Sequence, residues 1–104
     1  MPTEVNKRIM EPATIINLIE SDLSGFRQLT SQEILEIAQD VQFLVNFSDE
    51  GQNIPVPKEL GDITDFYLKV FSFLKNKIAT LSDLDWQRVT ALEWFSDTQA
   101  AKEM

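Results

Sequence analysis

The chain has 104 residues, with 17 acidic and 9 basic side chains, a formal net charge of −8, and neither Cys nor His. That balance repels phosphate backbones and anionic membranes, which argues against direct nucleic-acid binding. The missing residue types exclude disulfides, thiolate chemistry and imidazole-ligated metals.

An apolar fraction of 43% beside 25% charged residues is that of a chain able to build a core. The length suits a single domain with a radius of gyration of about 13 Å. The first residues carry no signal-peptide apolar core, and no run approaches the roughly 18 apolar residues of a membrane span, so a cytoplasmic location is expected. Three Gly and four Pro punctuate the chain between periodic segments rather than inside them, which favours helices. The expected fold is all-α: one compact four-helix domain over residues 1–104, either a bundle or an orthogonal arrangement.

Residues 1–11 are of mixed polarity. Val5, Ile9 and Met10 can add a partial turn or pack as an arm, with fraying expected. Pro12 suits the first position of a helix, with Glu11 beside the positive end of its dipole. The first helix is predicted over 12–23, with Ile15, Leu18 and Ile19 as its inner stripe, widened by Ile16 and Leu23, and with Gly25 as its stop.

Thr30-Ser31-Gln32-Glu33 is a capping box, and Leu29 with Ile34 makes a hydrophobic staple around it. The second helix is predicted over 31–47, with Ile34, Ile37, Ala38, Val41 and Val45 facing inward. Residues 48–57 combine turn formers with Pro55 and Pro57, and so form a partly extended loop.

The third helix is predicted over 62–79, capped by Asp62 with Asp65 three residues on. It carries two adjacent apolar stripes: Ile63, Tyr67, Phe71, Leu74 and Ile78 on one, Phe66, Val70 and Phe73 on the other. A helix apolar on two sides is expected to be the most buried one. Ser82 and Asp85 restart the pattern for a fourth helix over 83–98, with Leu84, Val89, Leu92 and Phe95 as its core stripe and Trp86 placed to staple Leu81. Residues 99–104 are expected to fray. The short link before this helix predicts that the third and fourth helices are antiparallel neighbours.

Candidate sites are few. Asn46-Phe47-Ser48 matches a glycosylation pattern that has no consequence without secretion. Residues 46–51 overlay part of a calcium loop, but Pro57 stands where the bidentate Glu belongs, so an ordinary turn is the reading. Carboxylate pairs at Asp62/Asp65 and Asp83/Asp85 are explained by capping and the helix dipole. With no His base, no Cys nucleophile and no glycine-rich phosphate cradle, no catalytic residue, cofactor or metal is assigned.

The charge map is more informative. No Lys or Arg lies between Arg27 and Lys58, whereas Glu33, Glu36, Asp40, Asp49 and Glu50 do. Glu33, Glu36 and Asp40 are spaced to share an outer face of the second helix. Phe43 and Phe47 project from the back of that helix and Trp94 projects off the stripe of the fourth, and aromatics of this kind suit interface hot spots. They are covered either by the 48–57 loop, through Ile54 and Val56, or by another chain.

The expected function is therefore a non-catalytic protein–protein interaction module. It would bind a partner protein or a second copy of itself through Trp94, Phe43 and Phe47 beside Glu33, Glu36 and Asp40. The alternative is an inhibitor or immunity-type protein, a nucleic-acid mimic in charge, that blocks a basic site on its target. A ligand carrier or enzyme built between the helices is the third reading.

Overall fold

The computed structural model describes residues 9–102 and forms five α-helices: α1 (Pro12–Leu23), α2 (Ser31–Asp49), α3 (Ile63–Lys75), α4 (Asp83–Thr90) and α5 (Glu93–Lys102). The fold is all-helical, with no strand among the described residues. The expected four helices become five because the segment predicted over 83–98 breaks at Ala91 and Leu92.

Where the sequence supplies a local cap, the helix starts where that cap places it. Pro12 opens α1. The Thr30 hydroxyl accepts from the Glu33 main-chain N–H at 3.1 Å, and the Glu33 carboxylate accepts from the Thr30 N–H at 2.9 Å, closing the capping box of α2. Asp62 and Ser82 accept from the N–H groups of Asp65 and Asp85 in the same way. Gly25, at φ +79, ends α1 in the left-handed region that costs glycine least. At Gly61 a side chain would be strained twice, because φ is +88 and an added Cβ would lie 2.8 Å from the Asp65 carboxylate.

The core gathers Ile15 and Ile19 of α1, Ile34, Ile37, Ala38 and Val41 of α2, Phe66, Val70 and Leu74 of α3, then Val89 and Phe95. Burying each large side chain of this kind contributes roughly 1.5–3 kcal/mol. Phe95 sits in an aromatic cluster, 4.8 Å from Phe71, 5.5 Å from Trp86 and 5.7 Å from Trp94 between ring centroids. Leu35 and Leu44 are buried as well, beyond the predicted inner face of α2.

Helix α2 packs on α3, α4 and α5, while α3 packs on α1, α2 and α5. The centre of the domain is thus built on α2 and α3 together, and α3 is buried along most of its length, with Phe66, Val70, Phe71, Phe73 and Leu74 inside. Of the predicted fourth helix, the second half, α5, packs on α3 as expected of neighbours, whereas the first half, α4, docks mainly on α2 and α5. The cause lies after Lys75. There the chain leaves the helix for turns, with Lys77 N–H bonded to Leu74 O and Thr80 N–H to Lys77 O. The Lys77 ammonium reaches the buried Asp22 carboxylate at 2.6 Å, while Ile78 moves out to the surface. This longer link separates α4 from α3.

Leu84, expected in the core, is 59% exposed, because α4 buries Val89 instead. Leu23 is likewise exposed. Residues 99–102, expected to fray, continue α5, and residues 103–104 lie outside the described residues. Of the predicted N-terminal arm, Ile9 and Met10 pack against the core, and residues 1–8, Val5 included, lie outside the described residues.

Candidate interaction groove between α2, α3 and α5

The six residues singled out from the sequence do not converge on one surface. Trp94, expected to project from the core, is 3% exposed. Its indole Nε1–H donates to the Ala38 carbonyl at 2.9 Å, and its ring meets Tyr67 edge-on at 6.2 Å. The break at Ala91 and Leu92 rotates α5 relative to α4 and turns Trp94 inward together with Phe95.

Asp40, expected on the outer face of α2, is 0% exposed. The segment before α1 crosses that flank of α2, and the Met10 main-chain N–H donates to Asp40 Oδ2 at 3.1 Å. Glu33 is held at the start of α2 by the Thr30 N–H and by an ion pair with Arg27, and these bonds keep its carboxyl below the usual range. Glu36 and Phe47 are half-buried, whereas Phe43 is 47% exposed. Ile54 and Val56 of the 52–57 loop pack back against the core. Asn46 and Ser48, which the calcium-loop overlay would need in a loop, are helical.

The concave part of the surface lies elsewhere. A groove of about 350 Å³ opens between the end of α2, the start of α3 and α5. Its walls include Val45 and Asp49 from α2, Ile63 and Tyr67 from α3, and Trp94 and Asp97 from α5. At one end it shares Ser48 and Ile63 with a second depression of about 360 Å³ that is walled by Ile54, Val56 and Asp62. At the other it shares Thr64, Tyr67, Asp97 and Thr98 with a third that reaches Leu68, Ala101 and Lys102. The three depressions adjoin in a row, a strip whose members share wall residues.

The strip combines apolar and aromatic walls with three carboxylates, those of Asp49, Asp62 and Asp97, and with one ammonium at Lys102. Asp62 is engaged as the cap of α3. Asp49 and Asp97 are exposed, and their carboxylates make no hydrogen bond or ion pair within the described residues. Tyr67 is half-buried. Of the groove's aromatic residues the sequence singles out Trp94, as a projecting ring, while Tyr67 reads only as part of a packed stripe. The groove's carboxylates are not legible there, because Asp97 stands alone near a predicted helix end and nothing links it to Asp49.

Among the described residues no group of three or more acidic side chains is placed to hold a metal ion, and no helix is long and apolar enough to cross a membrane. Compared with protein-family models, with curated proteins and with solved structures, the chain matches none.

Proposed function

We propose that the protein is a non-catalytic protein–protein interaction module that receives part of another chain in the groove between α2, α3 and α5. The observation that carries this reading is the row of three adjoining depressions from the 52–56 loop past Tyr67 to Lys102, with walls that mix apolar and polar side chains. Interfaces of this kind pair an aromatic anchor with peripheral polar groups. A chain without His or Cys lacks the side chains that most often carry acid–base and nucleophilic chemistry.

The test uses the exposed Thr64 on the groove wall. Thr64→Arg fills the groove, so a partner captured by the native chain is lost by this variant and kept by Glu36→Lys on the outer face of α2. Equal capture by Thr64→Arg and the native chain sinks the reading.

The second reading is an inhibitor that occupies a basic site on its target. It is favoured by the net charge of −8 and by the acidic end of α2. The two part on the surface used: an inhibitor docked by the acidic residues of α2 is weakened by Glu33→Lys with Glu36→Lys and kept by Thr64→Arg, and a groove-bound partner behaves in the opposite way.

A further inference from the structure

Helices that follow stability alone place cations at their carboxyl ends, where the dipole is negative. Three helices here do so, with Lys75, Arg88 and Lys102 in the last turns of α3, α4 and α5. Helices α1 and α2 carry acids there instead. In α1 the conflict is resolved inside the molecule, since Asp22 receives the Lys77 ammonium at 2.6 Å and the Leu29 N–H at 2.9 Å. In α2 it is not. The helix ends on Asp49 with Glu50 next, no basic residue stands in its last turn, and Asp49 makes no ion pair within the described residues. This negative end opens into the groove, and Asp97 of α5 lines the same space.

From this we infer that the groove takes a basic, extended segment of a partner protein, and that it seats an Arg or Lys side chain between the carboxyl end of α2 and Asp97. The inference rests on the interaction-module reading and adds the chemistry of the partner. The cation supplies to α2 what Lys77 supplies to α1.

The remaining walls suit the same occupant. The aliphatic stem of Arg or Lys lies well on Val45 and Ile63, and the Tyr67 ring offers an aromatic surface for the charged head. Arg is the better fit of the two, because its planar fork binds a carboxylate through two bonds and stacks on rings. The depression beyond Ser48, walled by Ile54 and Val56, takes an apolar neighbour of that side chain.

The full chain, labelled with ¹⁵N, is titrated with a short capped peptide that alternates leucine and arginine. A twin peptide carries citrulline, which keeps the shape of arginine and removes its charge. The arginine peptide is expected to shift the amide signals of Ser48, Asp49, Thr64, Tyr67 and Asp97. Its affinity is expected to fall about fivefold for Asp49→Asn and again for Asp97→Asn, the loss of one exposed charge pair each.

Equal binding of both peptides in the groove overturns the cationic occupant and leaves the module reading standing. Shifts confined to another surface, or none at millimolar peptide, overturn both. Both variants alter exposed side chains, and their unchanged or raised Tm separates lost binding from lost folding.

Discussion

Gln42 and Trp94 are joined across the α2–α5 contact, where the side-chain carbonyl of Gln42 accepts the Trp94 main-chain N–H at 2.7 Å. One turn earlier on α2, the Ala38 carbonyl accepts the Trp94 indole N–H at 2.9 Å. Helix α5 starts after Leu92, whose carbonyl takes the first helical bond from Ser96 N–H and whose side chain has no acceptor to offer. A side-chain acceptor at the residue before a helix normally bonds the second or third N–H. Gln42 supplies that acceptor from another helix, and its amide is itself oriented by Asn46 at 3.0 Å.

Gln42→Ala is therefore expected to lower stability by about 1–2 kcal/mol, the cost of a lost cap with a main-chain donor left unbonded. The loss should be concentrated in faster amide hydrogen exchange at Trp94 and Phe95. Gln42→Glu, which keeps an acceptor, is expected to cost less. An unchanged denaturation midpoint for Gln42→Ala is the result that counts against this account.

Trp94→Ala is expected to cost about 3–5 kcal/mol, as a buried aromatic leaves a cavity, and Trp94→Phe about 1–2 kcal/mol, as the smaller ring leaves a gap and the indole bond to the Ala38 carbonyl, which keeps its helical donor, is lost. Urea unfolding of both variants measures this. A folded Trp94→Ala protein of native stability would contradict the burial seen here and return Trp94 to the surface role expected from the sequence.

The buried Asp22–Lys77 pair sets an acid limit. Burial pushes the Asp22 carboxyl up, but the Leu29 N–H and the bond and charge of Lys77 outweigh it and hold the group below its ordinary value of 3.8. A carboxyl depressed in the folded state contributes stability that is complete above the unfolded value and lost as pH falls through the folded one. Urea midpoints measured from pH 6 downward should therefore decline below about pH 4. The decline should be shallower for Asp22→Asn, and parallel curves for the two proteins would remove this role.

Two acids one turn apart on α2 should behave as opposites. Asp40→Lys places a charge in the core where Asp40 accepts the Met10 N–H, and is expected to cost at least about 3 kcal/mol or to prevent folding. Glu36→Lys is expected to stay within about 0.5 kcal/mol of the native chain. Thermal melts of the two separate a core acid from a surface one, and similar costs for both would restore the single anionic face read from spacing.

Asp49→Lys should raise stability by a few tenths of a kcal/mol, by placing the favoured sign at the end of α2. In the same protein, affinity for the arginine peptide should drop. Such a pairing of gain and loss marks a position held for binding rather than for folding, and a destabilised Asp49→Lys would remove the argument from the helix dipole.

What the sequence determined by itself was everything written within about one helical turn. Pro12 opens α1, Thr30 with Glu33 opens α2, Asp62 with Asp65 opens α3, and the prolines at 55 and 57 keep their loop out of helix, because each device acts on N–H groups three residues away or on its own φ. The apolar period likewise identified Ile15, Ile34, Ile37, Phe66, Val70 and Leu74 as core.

The tertiary structure decided the rest through bonds between distant positions. Met10 and Asp40 are 30 residues apart, Gln42 and Trp94 are 52, Asp22 and Lys77 are 55, and Ala38 and Trp94 are 56. These bonds bury Asp40, split the last predicted helix in two, end α3 before Ile78 and turn Trp94 inward. No local propensity encodes them, because in each case the donor and its acceptor meet only once the helices have packed.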